Sequence, residues 1–197
     1  MTLQKIKTAS LQQFAKKGYD AASLQLIADE VGIKKQSIYA HFKSKDDLFL
    51  DIFKDAVDQE ILELDRYFQD QSEQSLEIVL RGLIVEFKER YESAMNLRLI
   101  LYVGFLIPSA LESQVQALVT RYVQHKTSLV HGRLATETSV KLRVPAQSAA
   151  TAYMNLIEGM LVELVYNGTD GFDPRLESSW DIYWHGLIQA RTTEQLK

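Results

Sequence analysis

The chain has 197 residues, 46% of them apolar and 24% charged, with a net charge of −4. That length holds one large domain or two small ones with a sizeable core, and the composition is that of a soluble globular protein. Cysteine is absent, which excludes disulfides, thiolate metal sites and a cysteine nucleophile and permits a reducing compartment.

The opening stretch MTLQKIKTASLQQFAKKG lacks the apolar core and cleavage signal of a secretory leader. The most apolar run, LRLILYVGFLIP (97–108), contains an arginine and meets a proline too soon to span a bilayer. A cytoplasmic protein is expected. The charge is uneven. Residues 1–45 carry eight lysines against Asp20, Asp29 and Glu30, a net of +5, which leaves −9 on the other 152 residues. A basic end on an acidic body points to an anionic partner, nucleic acid or an anionic membrane. A merely solvated lysine face is the plain alternative.

Helical spacing runs through the chain, and strand-like alternation is scarce. Leu3, Ile6, Ser10 and Phe14 form one face of a first helix that stops at Gly18. Ser23 stands as the N-cap of a second, in which Leu24, Ile27, Ala28 and Val31 recur up to Gly32. A third helix is expected over 34–43, with Ile38 and Phe42 one turn apart. Ser44 caps a long fourth helix whose first turn holds Asp46 and Asp47, where the dipole favours negative charge. Its apolar face runs Leu48, Phe49, Ile52, Phe53, Val57, Ile61, Leu64 and Phe68.

After the polar break DQSEQS (70–75), helices are expected over 76–92, 96–107 and 109–136, the last opened by Pro108. Pro145 opens another, ending at Asn167-Gly168. Asp173 and Pro174 read as N-cap and N1 of a final helix reaching about Arg191. The fold class is therefore all-α with about nine helices and no internal repeat. The boundary falls near residues 45–48, giving domains 1–47 and 48–197 that share the long fourth helix.

The two short helices meeting at Val31-Gly32-Ile33 have the pattern of a helix-turn-helix, whose second helix enters the DNA major groove. With Ile38 and Phe42 facing the core, the opposite face carries Lys35, Gln36, Tyr39 and Ala40. Lysine donates to guanine O6/N7 and glutamine pairs with adenine N6/N7. Ala40 lets the backbone approach or meets a thymine methyl. Tyr39, His41 and Lys45 are suited to phosphate oxygens, as are the free N–H groups at the helix start by Ser23. Lys34 and Ser37 complete the candidate DNA-binding set.

The string GYDAASLQLIADEVGIKKQSIYAHFKSKDDL (18–48) resembles the DNA-binding region of the TetR family of transcriptional regulators. The resemblance rests on Phe14, Gly18-Tyr19, Ser23, Ile27-Ala28, Gly32-Ile33, the run from Tyr39 to Lys45, and Leu48. It covers about a quarter of the chain. Departures are Lys34 in place of the family's small hydroxyl residue, Gln36 where glycine is common, and Ala40 where a second aromatic is usual.

The resemblance implies C-terminal helices that dimerise and enclose a ligand pocket. The apolar helix AATAYMNLIEGMLVELVY (149–166) must be covered on every side. Interface candidates are Tyr153, Met160, Leu164, Trp180, Trp184, Leu187 and Ile188, with completion of the monomer core as the alternative. Pocket candidates are Phe87, Tyr91, Tyr102, Phe105, Tyr122 and Tyr153, with Arg98 and Glu158. Like Asn155, these two are polar groups inside apolar runs. The plainer readings are core packing for the aromatics and an Arg–Glu pair or simple exposure for the polar groups. A Glu158 facing the cavity unpaired would favour a cationic ligand.

No metal-binding histidine spacing, P-loop, GxSxG or GxGxxG occurs. Catalytic residues, a metal and a cofactor are therefore not expected. The expected function is a DNA-binding transcriptional regulator, a homodimeric repressor released from a palindromic operator by a small-molecule effector. Its partners would be double-stranded operator DNA, a second copy of itself and that effector, with no membrane. The alternative is an all-helical ligand-binding protein whose basic end meets an anionic membrane surface.

Overall fold

The structure, a computed structural model, describes residues 2–105 and 107–189, with Phe105 as backbone only. Nine α-helices occur among the described residues, here named α1 (Thr2–Ala21), α2 (Leu24–Val31), α3 (Lys35–Tyr39), α4 (Lys45–Asp70), α5 (Leu76–Tyr91), α6 (Met95–Phe105), α7 (Glu112–Ala135), α8 (Ala146–Asn167) and α9 (Phe172–Leu187). A 3-10 turn, Ser109–Leu111, precedes α7 with Pro108 at its N-cap. No single helix among the described residues is long and apolar enough to cross a membrane.

Chain contacts define two compact units, one of residues up to 63 with 90–123, the other of 64–89 with 124 onward. In the first, α1 packs on α6 and α2, and α2 on α3. Ile6, Phe14, Ile27, Ile38, Leu48, Phe49 and Phe53 are buried. Ser10 shares the buried face of α1 because its hydroxyl donates to the Ile6 carbonyl at 2.7 Å, which removes the cost of burying it. Leu3, expected on that face, is exposed. Gly18 bends α1 with φ 77° and ψ 174°, a conformation essentially confined to glycine. A Cβ there would also lie 2.8 Å from the ring of Tyr102 on α6.

In the second unit, α8 packs on α9. Ion pairs Lys88–Asp173 and Arg81–Glu177 join α5 to α9, and Arg175–Glu163 joins α9 to α8. The Tyr153 hydroxyl donates to the Leu80 carbonyl at 2.6 Å. Leu142 forms an isolated antiparallel bridge with Ile188.

Several element boundaries differ from expectation: α1 continues past Gly18 to Ala21, and Pro108 opens the 3-10 turn while α7 itself begins at Glu112. α3 ends at Tyr39 rather than near Lys43, because the chain turns at Ala40 and His41 to seat Phe42 in the core. α9 begins at Phe172, after an N-cap at Gly171, rather than at an Asp173 cap. Phe172 is fully buried, which draws the chain into the helix early, and Asp173 pairs with Lys88 instead of capping. α9 ends at Leu187, short of the expected Arg191, because Ile188 is extended and bridges Leu142; residues 190 and 191 lie outside the described residues.

Candidate nucleic-acid interface

The turn between α2 and α3 is built from local chemistry. Ser23 has extended backbone angles, and its hydroxyl accepts the N–H of Leu26 at 3.2 Å, so α2 starts with a side-chain cap. Gly32 closes α2 in the left-handed region, φ 76°, where a side chain would be strained. The Ile33 N–H then reaches back to the Ala28 carbonyl at 2.9 Å, which fixes the direction in which α3 leaves. Lys34 has no side-chain cap bond, as expected from its departure from a hydroxyl residue.

Ile38 and Phe42 are buried, and the rest of α3 and its exit turn outward. Lys34, Gln36, Tyr39, Ala40 and His41 are exposed; Lys35, Ser37, Ser23 and Lys45 are half-buried. The Lys35 ammonium lies 6.0 Å from the Tyr39 ring centroid. Around α4's start, Ser44 accepts the N–H of Asp47 at 3.1 Å and Asp47 accepts that of Lys43 at 2.9 Å, a reciprocal cap. The Lys45 ammonium sits 4.2 Å from the Tyr19 ring centroid and 3.3 Å from the Asp20 carbonyl oxygen. The arrangement presents amide, phenol, imidazole and ammonium groups on one short stretch of chain, suited to base edges and phosphates.

Two residues of this surface escaped the sequence reading. Lys43 is exposed beside the candidate set. Tyr19 contacts Lys45 across 26 positions of chain, and only its place in the family motif marked it. Lys7, counted among the basic residues, is spent inside the unit on Asp51 at 2.7 Å and Asp55 at 2.8 Å. Its hydrogen bond to Asp51, then that to Asp55, raises its pKa above the ordinary lysine value.

The eight pocket candidates divide between the units. In the first, Arg98 lies over the Tyr91 ring at 5.5 Å, and Tyr102 packs against Gly18 and is exposed on its other side. Tyr122 is buried near the Glu60–Arg90 ion pair of 2.6 Å, and burial, then the Glu60 charge, pushes its pKa up. The side chain of Phe105 lies outside the described residues. In the second unit Phe87 and Tyr153 are buried, while Glu158 is exposed. The Lys126 ammonium, not among the candidates, is buried 5.6 Å from the Phe87 ring centroid. A groove of about 880 Å³ that includes Phe68, Ser72, Ser128 and Arg133 contains no candidate. A second of about 630 Å³, including Tyr67, Ile78 and Arg81, contains none either. No cluster of three metal-ligating residues occurs among the described residues.

Of the interface candidates, Tyr153, Met160, Leu164, Trp180, Trp184 and Leu187 are buried within the chain, and Ile188 is half-buried. Trp180 and Trp184 stack at 5.6 Å, and Tyr183 bridges Trp180 to Tyr153. The opposite faces of these helices remain outward: Ala152, Asn155 and Tyr166 on α8, and Ile182 on α9. Tyr166 is 74% exposed and Ile182 77%.

The family model for bacterial regulatory proteins of the tetR family matches residues 6–52, the segment carrying α2, the turn and α3. The chain is similar to the fatty acid metabolism regulator protein of Bacillus subtilis (strain 168), 22% identical over 170 residues, 85% of this chain and 71% of that one. Among solved structures, a TetR-family regulator from Agrobacterium tumefaciens aligns with a TM-score of 0.76 at 18% identity, covering 96% of this chain and 98% of that one. The regulator FadR from Bacillus subtilis in complex with stearoyl-CoA aligns at 0.69 and 20% identity, covering 93% and 98%.

Proposed function

We propose, from a chain that belongs to the tetR family of bacterial DNA-binding transcriptional regulators, that it works in the cytoplasm as a homodimeric repressor released from a palindromic operator by a small molecule. DNA recognition is assigned to residues 1–47, and ligand binding and dimerisation to 48–197. The observation that carries the reading is the coincidence of the family match with an α3 and exit turn that bury Ile38 and Phe42 and leave Lys34, Gln36, Tyr39, Ala40 and His41 exposed.

In this reading Lys35 and Gln36 meet base edges, and Ser23, Tyr39, His41 and Lys45 meet phosphates, with Lys34 and Ser37 beside them. A two-fold dimer supplies the matching pair of recognition helices for a palindrome. The outward faces of α8 and α9 are the surfaces offered to the second copy. The exposed Glu158 gives no reason to favour a cationic effector. Stearoyl-CoA, present in one structural neighbour, is the first effector to titrate.

The membrane alternative requires bulky apolar residues on the basic surface. α3 and its exit turn offer instead Gln36, Ala40 and His41, with Tyr39 as the large exposed ring. Titration against random duplex DNA and against anionic phospholipid vesicles separates the two. Duplex binding that weakens steeply with salt, with no vesicle binding, is expected. Vesicle binding without duplex binding would overturn the reading.

A further inference from the structure

Lys45 opens α4 beside two carboxylates of its own chain, Asp46 and Asp47, either of which could neutralise it. Neither does. The Asp46 carboxylate accepts the Tyr19 hydroxyl at 2.6 Å, and the Asp47 carboxylate accepts the Lys43 N–H at 2.9 Å. Among the described residues Lys45 forms no ion pair. Its ammonium instead rests on the face of the Tyr19 ring, 4.2 Å from the centroid, and donates to the Asp20 carbonyl. The ring is itself held edge-on by Phe49 at 5.0 Å, with Phe14 6.4 Å away. The hydroxyl's pKa is pushed up to about 12, by burial first and the bond to Asp46 second, so it stays a donor at working pH.

We propose that Tyr19 is a positioning residue for DNA binding: its ring holds the Lys45 ammonium in place while its hydroxyl occupies Asp46, leaving Lys45 a full positive charge for a phosphate. An aromatic face attracts a cation without cancelling its charge, so the phosphate contact is retained. A side chain already held loses less rotamer freedom when it meets its partner. The proposal rests on the assignment of Lys45 to a phosphate.

The test uses the full-length protein with phenylalanine and mono-, di- and trifluorophenylalanine at position 19. Fluorine withdraws electron density from the ring face with little change in size, and the hydroxyl is absent throughout the series. Affinity for random duplex DNA is measured at several salt concentrations, with Lys45 present and in a Lys45→Ala background, and thermal unfolding checks that each variant folds. A fall on the order of 3- to 10-fold along the series is expected with Lys45 present, and a flat series without it. Tyr19 should bind more tightly than Tyr19→Phe, which frees Asp46 to compete. A flat series with Lys45 present, when Lys45→Ala itself weakens binding, overturns the proposal. An equal fall in both backgrounds also overturns it, by making Tyr19 a packing residue. If Lys45→Ala changes neither affinity nor salt dependence, the phosphate assignment fails instead.

Discussion

Gln36 and Lys45 lie within ten positions of each other, yet their removal should be felt differently. Gln36 is exposed on α3 and assigned to a base edge. Gln36→Ala should cost about 1–3 kcal/mol on the preferred site and relax the preference at one position per half-site. Non-specific binding should hardly change, because no phosphate contact is lost. Lys45→Ala should weaken preferred and random duplex alike, and flatten log affinity against log salt by about 1 per subunit. Binding curves for both variants on both DNAs at several salt concentrations check this; a reversed pattern would mean that α3 enters the groove the other way round. Lys126 makes a separate prediction in the body. Burial lowers its pKa from 10.5 to about 8, with the Glu158 charge acting against the shift. Between those values the unfolded chain binds more protons than the folded one, so the stability tied to this group rises with pH. The stability difference between Lys126→Met and the parent should therefore move in the parent's favour from pH 7 towards pH 10. Thermal unfolding at both values measures it, and a constant difference would show that no charged amine is being desolvated.

Single helices show how far local chemistry carries. The Ser23 cap, the Gly32 turn and the Ser44 start were legible because each depends on a few adjacent residues. The start of α9 was not, since Asp173-Pro174 imitates a cap and the burial of Phe172 that overrides it comes from distant packing. Trp180 and Trp184 were ambiguous for a deeper reason. An apolar stripe looks the same whether its own chain or a second copy covers it, and here its own chain does so. The pocket was the least legible part, because polar residues inside apolar runs, such as Glu158 and Asn155, can simply face solvent. The outward faces of α8 and α9 give a test that respects this burial. Ile182→Glu puts a charge on the exposed side of α9 and should shift the dimer towards monomer by light scattering, leaving the unfolding temperature of the monomer nearly unchanged. Trp184→Glu puts the same charge in the core of its unit and should lower the unfolding temperature outright. An Ile182→Glu protein that stays fully dimeric at micromolar concentration would move the interface to another surface.

Across the whole molecule, the proposed function requires the body and the α2–α3 surface to influence each other. An effector that loosens DNA binding must favour a spacing of the two recognition helices that misses successive major grooves, which lie roughly 34–36 Å apart. Coupling between two binding equilibria is reciprocal, so operator DNA must weaken effector binding by the same factor. Calorimetric titration of an effector with and without operator should show that equality, and a tight effector whose affinity ignores DNA would not be the switch. The charge distribution belongs to this scale as well. The net positive charge is confined to the first 45 positions of an acidic chain, so the proposed attraction for DNA is local to one end. The central claim is that a dimer of this chain reads a specific duplex through α3, and selection of bound DNA from a random-sequence pool tests it most directly. One palindromic sequence should be enriched, with loss of preference at a single position in each half when the selection is repeated with Gln36→Ala. A pool that stays random, or an enriched site without two-fold symmetry, would contradict it.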